Sequence, residues 1–246
     1  MPKQVKVRLP NEILALPNAD KAFHEKWYKG RNMLNITHPF RCVALGPPNC
    51  GKGTVIKNII IRAKPQFEEI FVIHCDPDYT KEWDDIGCNE MMSEIPAPDQ
   101  WEGAVKTLVI LDDLEFKSMD KEQRRNLDRL FGFCSTHKNI SIVLAAQDTF
   151  NVPPIVRRCS NLWVLWKMQD MDSLANTARK TGMKASNFNT IFNELMLTCH
   201  DSLWIDTTAG TPYPLRKNGY TLINKEDGEQ SKKILENMDK FTTGVD

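Results

Sequence analysis

A glycine-rich segment, residues 46–54, carries the residue types that bind phosphate. It follows the apolar run 41–45 and precedes the helix-like run 55–61, so the pattern is strand, glycine loop, helix. Glycines let the backbone wrap with its N–H groups pointing inward, and the helix N-terminus adds partial positive charge. Lys52 is expected to reach the β- and γ-phosphates of a nucleotide. The alternative, a glycine-rich turn with a surface lysine, accounts less well for the flanking strand and helix. The predicted nucleotide-binding residues are Gly46, Pro47, Pro48, Asn49, Cys50, Gly51, Lys52, Gly53 and Thr54.

The segment departs from the usual G-x-x-x-x-G-K-[ST] form at one position. Gly53 follows the lysine, where a serine or threonine is usual, and the hydroxyl comes one residue later, at Thr54. We therefore predict Thr54 as a ligand of the Mg²⁺ that accompanies the nucleotide.

Two carboxylates, Asp112 and Asp113, follow the apolar run 107–111. The carboxyl end of a parallel strand lies at the same edge of the sheet as a phosphate loop. Asp112 is predicted to hold Mg²⁺, directly or through water, and Asp113 to orient and deprotonate an attacking water. Two aspartates at a strand end are also typical of a turn or a helix N-cap. Their position about sixty residues after the phosphate loop favours the nucleotide site.

Further polar candidates follow the next strand pattern. Gln147 ends the run 140–146 and is predicted to hydrogen-bond the γ-phosphate or the attacking water; alternatively it only opens the loop. Arg157 and Arg158 come shortly afterwards and are candidates for an arginine finger, whose charge stabilises the transferring phosphoryl group. The sequence does not decide which arginine points towards a nucleotide.

These residues need a sheet to position them, and consecutive apolar residues predict buried parallel strands separated by helices. This is the pattern of an α/β fold. Strands are predicted at 40–45, 69–74, 107–112, 140–147, 161–167, 202–206 and 219–223. Helices are predicted from 55, from Ser118 to 133, at 171–181 and at 185–197, with a short one at 81–86.

The length of 246 residues and the hydrophobic fraction of 41% fit one large α/β domain, alone or with a small appendage. We predict an N-terminal arm at 1–38 with a helix at 20–28, an ATPase domain at 39–224, and a polar tail at 225–246 with a short helix near Ile234. No run of eighteen apolar residues or secretory signal is recognised, so no membrane span is expected. The seven scattered cysteines lack a C-x-x-C pair and are predicted to be reduced core residues.

The net charge of zero hides a segregation along the chain. Residues 1–64 carry 12 Lys/Arg and 3 Asp/Glu, whereas residues 65–120 carry 3 and 15. The two regions could meet across a subunit boundary or neutralise each other within one fold. Zero net charge argues against a protein that coats nucleic acid by bulk electrostatics.

Four ordered features resemble the FtsK/HerA superfamily of P-loop motors, and within it the genome-packaging ATPases of virophages and large DNA viruses such as poxviruses. They are residues 46–54, 109–113, 140–147 and 153–157. The resemblance implies a RecA-like (ASCE) P-loop NTPase fold with a mostly parallel central sheet flanked by helices, here with a short N-terminal arm and a C-terminal α/β extension. It also implies that the Gln147 strand lies between the strands of the two other motifs.

By this resemblance Lys52 and Thr54 form the Walker A pair, Asp112 and Asp113 the Walker B pair, and Gln147 the sensor. Many relatives carry an Arg-His pair before the sensor strand as a finger that acts on the neighbouring subunit. Here the matching stretch is Thr136-His137-Lys138. Arg157 or Arg158 is therefore the preferred finger, with Lys138 in reserve.

The resemblance implies an ATP-hydrolysing translocase that packages double-stranded DNA into a preformed capsid. The expected cofactors are ATP and Mg²⁺. The expected partners are duplex DNA, further copies of the chain in a pentameric or hexameric ring with ATP between subunits, and a capsid or portal-vertex protein. The expected location is the host cytoplasm, with the virion as a further possibility.

Two other functions stay open. Gly51-Lys-Gly-Thr54 also resembles the loop of adenylate kinases, which implies a nucleoside monophosphate kinase. Those kinases place the loop at the extreme N-terminus and lack the Asp-Asp and Gln strand ends. The other alternative is a nucleotide-binding scaffold for capsid assembly without turnover.

Overall fold

The computed structural model describes residues 34–168, 171–181, 184–208, 214–222 and 233–234. The predicted helix at 20–28 and most of the predicted tail from residue 225 lie outside the described residues. The domain boundaries at residues 38 and 224 stay predictions.

The described residues form one sheet of ten strands. The strands are β1 (Arg41–Leu45), β2 (Glu69–His74), β3 (Glu90–Met92), β4 (Thr107–Asp112), β5 (Ile140–Ala146), β6 (Leu162–Trp166), β7 (Ser202–Asp206), β8 (Leu215–Lys217), β9 (Thr221–Leu222) and β10 (Lys233–Ile234). Their order is β10-β9-β8-β7-β6-β1-β5-β4-β2-β3. The six strands from β6 to β3 are parallel, and β7 to β10 join them antiparallel. The predicted mostly parallel α/β sheet is confirmed.

The position of β5 is the feature that matters for the site. In register, Val43 of β1 pairs with Leu144 of β5, and Val109 of β4 pairs with Ile142 of β5. Strand β5, which leads to Gln147, therefore lies between the strands that lead to the phosphate loop and to the two aspartates. This confirms the strand order that the resemblance implies.

Alternate residues of the central strands enter two different hydrophobic clusters, as expected when both faces of a sheet are covered. Val43 and Leu45 belong to one cluster, whereas Cys42 and Ala44 belong to the other. Such strands read as continuous apolar runs, which is why the sequence predicted β1, β2, β4, β5 and β6 well.

Five helices flank this sheet in the described residues. They are α1 (Lys52–Ile61), α2 (Lys121–Arg129), α3 (Pro154–Cys159), α4 (Met171–Thr181) and α5 (Ala185–Leu195). In the ranges described, no helix is long and apolar enough to cross a membrane.

The start of α2 differs from the prediction. The Asp120 carboxylate accepts a hydrogen bond from the Gln123 N–H at 2.8 Å and caps the helix. Ser118 instead donates its hydroxyl to the Glu115 carbonyl at 2.9 Å in the preceding turn, so the predicted start at Ser118 was wrong. After Arg129 the helical turns continue as a π-helical segment, Leu130–Cys134, and a final α-helical turn, Ser135–His137.

Short elements account for the remaining differences. Strands β3 and β8 were not predicted, because three residues are too few to show a pattern. The predicted helix at 81–86 is only a 3₁₀ turn, Asp84–Ile86. Lys233–Ile234 pairs with β9, so the helix predicted near Ile234 was wrong at these residues.

Candidate nucleotide-binding site

The site lies at the carboxyl edge of the parallel strands, where β1, β4 and β5 end side by side. A cavity of about 490 Å³ opens there. Its lining includes Gly51, Lys52, Gly53 and Thr54 from the loop and helix α1, together with Asp112, Asp113 and Gln147. The fold thus brings together the loop, the acids and the glutamine that the sequence predicted. Their individual roles stay predictions.

The loop depends on glycine at two places. Gly51 has φ 102°, in the left-handed region that favours glycine, and it directly precedes α1. A Cβ added to Gly46 would lie 2.6 Å from Cys50 Sγ and 2.8 Å from Trp166 Cβ, so no side chain fits there. The Gly46 N–H also donates to the Ala146 carbonyl at 3.1 Å, which ties the loop to the end of β5.

The amine of Lys52 lies across the loop. Its Nζ donates to the carbonyl of Gly46 at 2.8 Å and to that of Pro47 at 2.9 Å. In this position the ammonium can exchange these carbonyls for phosphate oxygens without leaving the loop. The preceding Cys50 thiol is buried, and burial raises its pKa, so Cys50 offers its backbone and not a thiolate to a ligand.

Asp112 and Asp113 occupy different environments although they are neighbours. Asp112 is 7% exposed, and one of its carboxylate oxygens accepts a hydrogen bond from Trp83 Nε1 at 3.0 Å. Burial raises the pKa of Asp112, and the negative charges of Asp113 and Glu82 raise it further. Asp113 is exposed and has φ 48°, a left-handed conformation that aspartate tolerates. Asp112 is therefore suited to bind a cation, and Asp113 is accessible to water.

Gln147 is exposed and lies directly after the last residue of β5. It lines the cavity together with Lys52 and Asp113, as a γ-phosphate sensor requires. The alternative, that Gln147 only opens the loop, predicts no effect of its substitution on turnover.

The donor set of the cavity suits Mg²⁺, which prefers carboxylate and other hard oxygen ligands and shares them with phosphate. Asp112 and the exposed Thr54 both line the cavity. Within the described ranges no three Asp, Glu, His or Cys side chains form a preformed metal centre, so phosphate oxygens would have to complete any Mg²⁺ site here.

Three residues of the site were missed by the sequence analysis. Glu82 and Trp83 come from the irregular segment after β2, and His200 from the turn before β7. The His200 ring nitrogen Nδ1 lies 3.3 Å from the Cys50 carbonyl. Nothing in the sequence pointed to these residues; the structure shows that a Cβ at Gly53 would lie 1.7 Å from a Glu82 carboxylate oxygen.

The two candidate arginines lie elsewhere. Arg157 and Arg158 belong to α3 and line a second cavity of about 580 Å³ with Phe116 and Phe150. None of its lining residues belongs to the phosphate loop. Within one described chain the structure therefore does not bring these arginines to the loop. The reserve candidate Lys138 precedes β5, at the opposite edge of the sheet, and its ammonium donates to the Trp101 carbonyl.

Neither protein-family models nor curated proteins gave a match to this sequence. Comparison with solved structures did give matches. The crystal structure of B204, the DNA-packaging ATPase from Sulfolobus turreted icosahedral virus, has 15% identity and a TM-score of 0.53, over 72% of this chain and 95% of B204. The genome packaging NTPase B204 from Sulfolobus turreted icosahedral virus 2 in complex with AMPPCP has 15% identity and a TM-score of 0.51, over 74% of this chain and 98% of that one. At this identity the likeness concerns the fold. The chain thus has the P-loop NTPase fold of B204, as the resemblance to viral genome-packaging ATPases implied.

Proposed function

We propose that the protein is an ATP-hydrolysing DNA translocase that packages viral double-stranded DNA into a preformed capsid. The observation that carries the proposal is the single cavity into which the strand order gathers Lys52, Asp112, Asp113 and Gln147. A phosphate loop alone supports only nucleotide binding. The added acids and glutamine are the groups that hydrolysis needs.

In this proposal each residue has one task. The loop N–H groups and Lys52 bind the β- and γ-phosphates, and Gln147 senses the γ-phosphate or orients the water. Asp113 accepts the proton of the attacking water, while Asp112 and Thr54 hold the metal. Bound Mg²⁺ supplies neutralisation of phosphate charge. Asp113 is suited to its task because it is exposed, whereas Asp112 is buried.

Among the described residues that line the loop cavity, Lys52 is the only lysine or arginine, and the position of α3 supports a neighbouring subunit in a ring as the source of a second cation. Arg157 and Arg158 lie on a cavity apart from the loop of their own chain, so they serve a nucleotide best across a subunit boundary. We propose a closed ring, pentameric or hexameric, around duplex DNA. The ring would dock on a capsid or portal-vertex protein in the host cytoplasm and could enter the virion. The likeness in fold to the packaging ATPase B204 supports this assignment.

The test is ATP hydrolysis by the full chain with Mg²⁺, with and without duplex DNA. The proposal predicts phosphate release that rises with DNA and is lost in Lys52→Ala. Electron microscopy of the same mixture with an ATP analogue should show rings that surround DNA. Wild-type rings that bind nucleotide but release no phosphate would favour the capsid-assembly scaffold instead.

The molecule that accepts the γ-phosphate distinguishes the packaging proposal from the kinase alternative. A nucleoside monophosphate kinase transfers the γ-phosphate to a nucleotide and releases little phosphate without one. Transfer to a nucleoside monophosphate at a rate above phosphate release would contradict the packaging proposal.

A further inference from the structure

We infer that Glu82 is a metal ligand of the nucleotide site and takes the place of the hydroxyl that is missing at Gly53. The inference rests on the proposed function, because it assigns a ligand to the metal of the nucleotide that the site would hydrolyse. Glu82 comes from the irregular segment after β2 and lines the cavity of the phosphate loop.

The first observation is the space beside Gly53. A Cβ built on Gly53 would lie 1.7 Å from Glu82 Oε1 and 2.9 Å from Glu82 Cδ. The carboxylate therefore occupies the space that the Cβ of a serine or threonine at this position would need. A P-loop normally holds Mg²⁺ with that hydroxyl and the Walker B aspartate. Here a carboxylate oxygen of Glu82 lies where the side chain that carries this hydroxyl would begin.

Thr54 does not fill this space. Consecutive residues of an α-helix point about 100° apart, since a turn contains 3.6 residues. The hydroxyl of Thr54 therefore leaves α1 in another direction than a side chain at Gly53 would.

The second observation is the anchoring of Glu82 on both sides. The next residue, Trp83, is fully buried, and its Nε1 donates to Asp112 at 3.0 Å. Two residues further on, Asp85 forms an ion pair of 2.7 Å with Lys57 of α1. One anchor is the predicted metal-binding aspartate and the other is the helix of the phosphate loop. Both contacts hold the segment that contains Glu82 beside the phosphate loop.

The third observation is that the exposed Glu82 carboxylate lines the same cavity as Asp112 and has no hydrogen-bond or ion-pair partner among the described residues. Two such carboxylates repel each other, and a divalent cation between them and the phosphates relieves the repulsion. Mg²⁺ in nucleotide sites is commonly bound by one or two carboxylates plus phosphate oxygens, so the arrangement suits this ion.

The test measures metal and nucleotide binding without turnover. A fluorescent, non-hydrolysable ATP analogue is titrated into the full chain with and without Mg²⁺, and Mn²⁺ binding to the nucleotide complex is followed by electron paramagnetic resonance. The variant Glu82→Gln removes the charge and keeps the size. Asp84→Asn is the matched control, because Asp84 is an exposed acid two residues away in the same segment.

For Glu82→Gln we expect Mn²⁺ affinity in the nucleotide complex to fall about tenfold or more. Nucleotide affinity without metal should be unchanged or higher, since one negative charge near the phosphates is gone. Asp84→Asn should match the wild type in both measurements. Equal Mn²⁺ affinity in Glu82→Gln and Asp84→Asn overturns the inference.

A compensating pair makes the test sharper. Glu82→Ala should weaken Mn²⁺ binding, and adding Gly53→Ser to it should restore binding, because the serine hydroxyl gains the vacated space. Failure of this rescue overturns the assignment to Glu82. A wild type that binds no nucleotide overturns the proposed function itself, whereas metal-dependent nucleotide binding with no role for Glu82 overturns this inference only.

Discussion

The indole Nε1 of Trp83 donates a hydrogen bond to Asp112 Oδ2 over 3.0 Å, inside the core of the protein. This bond joins the irregular segment after β2 to the end of β4. It holds the buried carboxylate in one orientation, and it places the residue before Trp83 beside the phosphate loop. Trp83 is assigned no role in the reaction itself, yet its hydrogen bond helps to shape the predicted metal site.

Replacing Trp83 with phenylalanine should separate this bond from simple packing. We expect a loss of about 1–3 kcal/mol in unfolding free energy, since a buried acceptor loses its donor, together with weaker Mg²⁺-dependent nucleotide binding. The matched control is Trp101→Phe, because Trp101 is also buried but its Nε1 has no hydrogen-bond partner in the described structure. Urea unfolding and nucleotide titration measure the two effects. A similar drop in metal-dependent binding in both variants would contradict a specific role of the bond.

Lys52→Ala should abolish hydrolysis. The ammonium that lies across the loop, bonded to the Gly46 and Pro47 carbonyls, is removed. We expect phosphate release to fall about 100-fold or more, in line with the loss of a positioned donor to developing charge. The exposed Lys64, just beyond α1, gives the control Lys64→Ala, which should hydrolyse ATP at the wild-type rate. Comparable activity in Lys52→Ala and the control would remove the loop from the reaction.

Asp113→Asn should stop turnover and leave nucleotide binding intact. Asparagine tolerates the left-handed backbone that Asp113 adopts, with φ 48°, so the variant keeps the local fold while it loses the base. A general base contributes about 10²–10⁴-fold to rate, and we expect a loss in that range. Stopped-flow phosphate release and equilibrium nucleotide binding are the measurements. Turnover at the wild-type rate would exclude Asp113 as the base.

Lys106 allows a test of stability by pH at the opposite edge of the sheet. Burial lowers its pKa from 10.5 to about 8, although the nearby Glu68 acts in the other direction. Between these pH values the unfolded chain holds a proton on this amine that the folded chain has released. Stability therefore rises with pH across this window, and the destabilisation is fully present below about pH 8.

Lys106→Met should remove this contribution. We expect the free energy of unfolding of the wild type, relative to the variant, to increase from pH 8 to pH 10.5. Lys64→Met replaces an exposed lysine, and its free energy of unfolding should depend on pH in the same way as that of the wild type. Denaturant unfolding at several pH values measures the difference. A wild-type profile parallel to that of Lys106→Met would refute the lowered pKa.

The residues that sequence analysis found are those whose position follows from one local rule. Asp112 ends a buried parallel strand, Gln147 directly follows another, and the loop of Lys52 follows a third; such strand ends meet at one edge. The same rule cannot find Glu82 or His200. Their segments have no periodicity, and their place at the loop depends on tertiary contacts such as the Trp83 hydrogen bond and the approach of His200 to the Cys50 carbonyl.

The arginines show a different limit. Arg157 and Arg158 lie on the short helix α3, which follows the sensor strand. Order along the chain does not say which nucleotide they face. Their cavity shares no residue with the loop cavity of the same chain. Which nucleotide they face therefore depends on how the subunits assemble.

Mixed rings answer that question. Arg157→Ala and Arg158→Ala should each be prepared and then mixed with Lys52→Ala. If an arginine acts across the boundary, an intact site forms where the loop of an arginine variant meets the arginine of a Lys52→Ala neighbour. Random mixing in equal amounts gives this arrangement at roughly a quarter of the boundaries of a head-to-tail ring. We expect phosphate release to recover for the arginine that is the finger, since a finger contributes about 10³–10⁵ in rate.

The control for the mixed rings combines two variants whose substitutions lie on the same side of the nucleotide site. Lys52→Ala and Asp113→Asn both damage the loop side, because Lys52 and Asp113 line the same cavity of one chain. Their mixture leaves every active site defective and should stay inactive. Recovery with an arginine variant and none with Asp113→Asn would assign the finger to the neighbouring subunit. If neither arginine variant recovers activity, or if both are fully active alone, the proposed action of Arg157 or Arg158 across the boundary is excluded.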